Sequence, residues 1–275
     1  MIPLNKIKRS ERIAMILLML AQQPNQLHTL TQFADHFGCA KSTLSEDMSA
    51  LRDVLEANGL GRIETVPGAA GGVKFMAAYS QKSNAAFIQN VCKELSSPQR
   101  ILPGGFLYTV DLFADPAYIR RMGEIFASLY YKAEPDVVVT VESKGVPIGL
   151  MTARALGIPL VIARRDNRVT EGSVVTINYL STASKRLQTM SLARRAVKEG
   201  QKALIIDDFT KGGGTVNAIC SMMKEFAVTV VGVGVLVSTL ATDTRLRDFR
   251  SLMVLDGVDE EKETVSIRPA DWLLQ

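Results

Sequence analysis

Between Ala203 and Thr215 the chain reads Ala-Leu-Ile-Ile-Asp-Asp-Phe-Thr-Lys-Gly-Gly-Gly-Thr, an order that few folds accommodate. Ala203–Ile206 is a short apolar run suited to a strand buried on both faces. Two adjacent acids, Asp207 and Asp208, stand at its C-terminal end, and three glycines then lead into a helical stretch, Thr215–Phe226. A strand that feeds a helix through such a loop belongs to an open α/β sheet, and ligands of such sheets bind at the carboxyl edge of the strands. The glycines let backbone N–H groups bend around a phosphate, and the helix N-terminus adds a favourable dipole. The carboxylates cannot hold phosphate; they suit vicinal hydroxyls or a Mg2+ ion. The segment therefore asks for a phosphate at one end of a ligand and a diol beside it, which a sugar phosphate supplies. The G-x-G-x-x-G fingerprint of dinucleotide-binding turns is absent.

The flanking pattern agrees. Asp136–Val141 and Ile158–Ala163 read as strands around a helix at Ile148–Leu156, and Val228–Val237 reads as a further strand. Such alternation implies a parallel sheet covered on both faces. Glu142-Ser143-Lys144-Gly145 closes the first of these strands, a weak signal alone that gains weight from its place upstream of the acid pair. Val174–Tyr179 and the Ser/Thr/Lys stretch after it are expected to form a polar excursion, a mobile arm.

The first eighty residues have another character. An amphipathic helix is expected over Arg9–Gln22, ended by Pro24. Thr29 and Gln32 form a capping box for a short helix that stops at Gly38. A third helix starts near Lys41, with Leu44, Met48, Leu51 and Leu55 on one face, and ends at Asn58-Gly59. Arg62–Val66 and Val73–Ala77 alternate as the strands of a wing. The result is a helix-turn-helix with a wing. Its third helix offers Lys41, Ser42, Thr43, Ser45, Ser49 and Arg52 outward, short hydroxyls and cations suited to a DNA major groove, and Lys6, Lys8 and Arg9 crowd basic charge ahead of the first helix. Glu46 and Asp47 on the same helix argue against DNA. A winged helix at 1–78 and an α/β domain at 79–275, with its core at about 110–250, is the expected division.

The formal net charge of +4 permits anionic partners without demanding them. Its distribution is more informative: residues 164–195 hold seven Lys/Arg against two Asp/Glu. The longest apolar run, Ile13–Ala21, has nine residues, against roughly 20 for a membrane span. It follows basic residues, yet Met19-Leu20-Ala21 lacks a small-x-small cleavage site, so no signal peptide is expected. Three widely spaced cysteines suit a reduced, cytoplasmic protein. With only two histidines, no His/Cys cluster has metal-ligand spacing, so no metal is expected to be held by side chains alone.

The Ala203–Thr215 segment resembles the phosphoribosyl pyrophosphate (PRPP) motif of type I phosphoribosyltransferases. That resemblance implies that Asp207 and Asp208 hold ribose hydroxyls, that Phe209, Thr210, Lys211, Gly212, Gly213, Gly214 and Thr215 form the 5′-phosphate loop, and that Ser143, Lys144 and Gly145 form the pyrophosphate loop. Some purine-salvage enzymes of this kind carry a general-base aspartate four residues after the first acid. Here that position is Lys211, which cannot accept a proton, and Gly212 stands where those enzymes usually have threonine or alanine. The whole chain resembles the purine operon repressors of Gram-positive bacteria, a winged helix fused to a phosphoribosyltransferase-like domain. The likeness rests on K-S-T-L-S-E-D (41–47), T-V-P-G-A-A-G-G-V-K (65–74), R-I-L-P-G-G-F (100–106), T-E-G-S-V-V-T-I-N-Y (170–179), Q-T-M-S-L-A (188–193) and I-I-D-D-F-T-K-G-G-G-T (205–215). It implies a homodimer that represses purine genes from a double-stranded DNA operator, PRPP or a related nucleotide as effector with Mg2+ alongside it, no catalytic residue, and a base-stacking role for Phe106. An active purine phosphoribosyltransferase with an N-terminal assembly domain is the alternative.

Overall fold

The computed structural model describes residues 7–68, 71–165, 172–180, 186–240 and 248–275. Two compact units result: residues up to Ser80 with Arg154–Gly157, and Gln81–Ala153 with Ile158–Gln275.

The N-terminal unit runs α1 (Arg9–Gln22), α2 (Leu30–Phe37), α3 (Lys41–Ala57), β1 (Arg62–Val66) and β2 (Gly72–Met76). α2 begins where Thr29 Oγ1 accepts from the Gln32 amide and the Gln32 side chain accepts from the Thr29 amide. It ends at Gly38, whose φ of 61° is left-handed and suits glycine. Ile16, Leu20, Phe33, Leu44, Leu51 and Ile63 close one core among the helices and the wing. β1 and β2 pair antiparallel, Glu64 opposite Lys74.

In the second unit α4 (Gln81–Leu95) precedes a small hairpin, β3 (Ile101–Leu102) and β4 (Phe106–Leu107), and then α5 (Val110–Ala114) and α6 (Pro116–Tyr130). The sheet strands are β5 (Val137–Val141), β6 (Leu160–Ala163), β9 (Lys202–Thr210), β10 (Thr229–Thr239), β11 (Phe249–Asp259) and β12 (Thr264–Pro269). Their order is β12-β11-β10-β9-β5-β6. All neighbouring pairs are parallel except β11 with β12. α7 (Gly145–Leu156) follows β5 and α8 (Gly214–Glu225) follows β9. The core joins Val137, Val139, Ile205 and Val235 of the sheet to Ile219, Met222 and Met223 of α8.

Three expectations change. β9 does not end at Ile206 but runs on to Thr210, so the acid pair lies on the strand itself. α7 starts at Gly145, three residues earlier than the apolar pattern suggests. Val174–Tyr179, expected in a polar excursion, belongs to a regular two-stranded sheet, β7 (Val174–Leu180) against β8 (Leu187–Ala193), while the Ser/Thr/Lys stretch at 181–185 lies outside the described residues. Tyr179, Met190 and Leu192 are buried in the core, which a loose excursion would not supply. No helix among the described residues is long and apolar enough to cross a membrane.

Candidate functional site

The strongest polar constellation of the second unit forms where β5 and β9 end side by side. Pairing of Val139 with Ile205 brings the loop after β5 alongside Asp207 and Asp208. Asp207 is 5% exposed and Asp208 is half-buried. Alternation along a strand starts the two side chains in opposite directions, yet both meet the same loop. A Cβ on Gly145 would overlap Thr140 Oγ1 and would lie 2.5 Å from Asp207 Oδ1, so only glycine leaves the carboxyl its place there. Asp208 lines a cavity of about 200 Å3 with Ser143, Lys144 and Pro147 on one side and Thr109, Val110 and Phe113 of the α5 region on the other. The Glu142–Ser143 peptide is cis.

Burial pushes the Asp207 carboxyl well above the usual carboxylate range, and the neighbouring Asp208 charge pushes it further. Asp208 is also raised, by burial first, while Lys144 draws it back down. Arg165 likewise draws Asp207 down, yet burial leaves both acids raised, so the pair is short of positive charge or donors, which a cation or a diol would supply. The Asp208 amide donates to Asp207 Oδ1 at 3.0 Å. Beyond β9, Gly212 and Gly213 take φ values of 73° and 76°, and Gly213 caps α8. The loop thus delivers the chain to the free amides of a helix N-terminus, a place that favours anions. Lys211 is exposed in that loop and Thr215 is half-buried in the first turn of α8.

A carboxyl whose pKa is raised by folding binds its proton more tightly in the folded state. Its contribution to stability is complete below the unfolded pKa of about 3.9 and is lost as pH climbs through the raised folded value. The second unit is therefore expected to lose urea resistance as pH rises above about 4, and Asp207→Asn should flatten that slope. An unchanged slope in the variant would assign the loss to other groups.

Phe106 does not line the cavity; it stands 68% exposed on the β3–β4 hairpin. Sequence reading also missed the cavity wall from α5, because Thr109, Val110 and Phe113 carry no chemical signature. The helix start at Asp115-Pro116, where Asp115 accepts from the Ala117 amide, was not read from the sequence either.

On the N-terminal unit, Lys41, Ser42, Ser45 and Ser49 are exposed along α3, while Thr43 is half-buried. Asp47 is not the surface acid that its position suggested. It is fully buried, with Oδ1 3.0 Å from Arg9 Nε and Oδ2 2.6 Å from Arg12 Nε. Arg9 is thus partly committed to the fold, although 61% of its side chain stays exposed. Arg52, expected outward, donates to Ile63 O and Thr65 Oγ1 of the wing. Lys8 caps α1, its amide donating to the Glu11 carboxylate. Lys6 lies outside the described residues, as does Lys185 of the basic arm.

Residues 8–77 match the family model described as bacterial purine repressor, N-terminal, and residues 111–260 match the phosphoribosyl transferase domain. The purine biosynthesis transcriptional repressor PurR of Bacillus subtilis is 42% identical over 98% of this chain and 94% of its own. The purine biosynthesis transcriptional activator PurR of Lactococcus lactis is 36% identical over 95% of this chain and 97% of its own. Among solved structures, adenine phosphoribosyltransferase from Thermoanaerobacter pseudethanolicus aligns over 60% of this chain and 98% of that chain, with a TM-score of 0.52 at 20% identity, a likeness of fold. With both halves matched and relatives aligned along almost the whole chain, the protein belongs to the PurR family of bacterial purine biosynthesis transcriptional regulators.

Proposed function

We propose that this protein represses purine biosynthesis genes by binding operator DNA through its winged helix, and releases the operator when PRPP occupies the second unit. One observation carries the effector reading: a buried, charge-deficient acid pair sits between a glycine-capped helix N-terminus and a loop bearing Ser143, Lys144 and Gly145. Asp207 and Asp208 would hold the ribose hydroxyls, Gly212–Thr215 the 5′-phosphate, and Ser143–Gly145 the pyrophosphate. Mg2+ would be carried largely by the effector's own phosphate oxygens, since the described residues contain no group of three ligating side chains. Lys211 adds positive charge where some purine-salvage enzymes carry a proton-accepting aspartate, which supports binding over transfer. In this reading the site senses its ligand in a homodimer that presents two winged helices to the operator.

A gel shift on the host's purine promoter, with and without PRPP, tests this reading; undiminished binding in PRPP would overturn it. Incubation with PRPP and each purine base covers the enzymatic alternative, which sustained pyrophosphate release would establish. Lys41→Ala is expected to weaken operator binding by about 1–3 kcal/mol and to relax specificity if Lys41 reads a base. If it meets only phosphate, the loss is uniform over sequences and the salt slope becomes shallower. Gly145→Ala tests the effector side. The added methyl displaces the Asp207 carboxyl, an overpacking cost of about 1–3 kcal/mol, so PRPP affinity falls about tenfold or more in calorimetry.

A further inference from the structure

Glu142 stands immediately before the Ser143–Gly145 loop and uses both carboxylate oxygens on the end of the neighbouring strand. Oε1 accepts from the Arg165 amide at 3.0 Å, and Oε2 accepts from Arg164 Nη1 at 3.1 Å. The same two residues anchor the β7–β8 arm. The Arg164 amide donates to Ser191 O at 2.9 Å, the Ser191 amide donates to Arg164 O at 2.7 Å, and Thr189 Oγ1 donates to Arg165 O at 3.0 Å. One carboxylate thus links the loop after β5 to the strand that carries the arm, within two residues on each side. The arm itself bears exposed Arg186, Arg194 and Arg195.

The Glu142–Arg164 pair is about a quarter exposed on both sides, so it is neither locked in the core nor fully screened by water. A polyanion at Ser143–Gly145 would change the charge facing Glu142, and the bonds of Glu142 lead from there to Arg164 and Arg165 and on to β8. Coupling of this kind needs a contiguous connection whose arrangement both sites bias, and these hydrogen bonds supply it.

We propose that Glu142 is a positioning residue that transmits occupancy of the Ser143–Gly145 loop to the β7–β8 arm. The proposal rests on the effector reading above. Amide hydrogen exchange on the full chain, with and without PRPP, tests it. In the wild type, PRPP protects the 212–215 loop and changes exchange in Val174–Leu180 and Leu187–Ala193 by about fivefold or more. In Glu142→Ala the glycine loop is still protected but the arm no longer responds. Glu142→Gln, which keeps an acceptor for the Arg165 amide, restores part of the response. Thr189→Val, an exposed change that leaves the loop side intact, lowers the response and carries the test if Glu142→Ala fails to fold. Glycine-loop protection with a full arm response in Glu142→Ala, or in Thr189→Val where Glu142→Ala does not fold, overturns this proposal alone. No protection of the glycine loop in the wild type overturns the effector reading, and this proposal with it.

Discussion

Asp47→Ala is expected to destabilise the N-terminal unit by about 3–5 kcal/mol, because it leaves the guanidinium of Arg12 buried without its counter-charge. Arg12 retains only 11% side-chain exposure and lies 2.6 Å from the Asp47 carboxylate, so water cannot replace the lost partner. Arg9 loses less, since its exposed side chain can turn to solvent and an exposed pair is worth about 1 kcal/mol or less. Urea denaturation followed by amide signals of residues 7–68 measures the effect. The double variant Asp47→Ala with Arg12→Leu should recover much of the loss, because an apolar side chain leaves no charge unpaired. A change below about 1 kcal/mol in Asp47→Ala would mean that the triad contributes no net stability.

Removing the second acid cluster should have the opposite effect on the fold and a larger one on control. Asp207→Asn with Asp208→Asn strips charge-assisted hydrogen bonds to the effector worth about 1.5–3 kcal/mol each. PRPP affinity should fall by more than about tenfold. The fold is expected to tolerate the change, because both carboxyls are held above their ordinary range by burial and neutral amides avoid that cost. An effector lowers DNA affinity only through its different affinities for free and DNA-bound protein. The variant should therefore bind the operator normally yet fail to release it in PRPP, a super-repressor phenotype visible by gel shift. Wild-type release by PRPP would reduce the acid pair to a structural role.

Much of this architecture was legible because the residues that mark it act locally. Thr29, Gln32 and Gly38 delimit α2 by hydrogen bonding and backbone conformation within four residues of themselves. The sequence Asp207–Thr215 likewise marks its own strand, loop and helix. What could not be read depends on partners distant in the chain. Asp47 looked like a surface charge until Arg9 and Arg12, 38 and 35 residues away, were found on it. Asp207 and Asp208 have the character of loop residues, so the sequence marks a strand end at Ile206, whereas pairing of Asp207 with Val235 and Phe209 with Val237 extends the ladder through them. β11 and β12 went unread because their antiparallel pairing at the sheet edge breaks the strand–helix rhythm.

The bonds from Arg52 to Ile63 O and Thr65 Oγ1 have a consequence for how such regulators diverge. They fasten the wing to the third helix from the helix's own side, so the two parts hold one spacing, like the jaws of a fixed caliper. On the DNA reading proposed above, changes at the exposed Lys41, Ser42 or Ser45 would alter base preference without altering that spacing. A relative that needed the wing at another distance from the helix would first have to release Arg52, giving up those bonds before it gained a new fit.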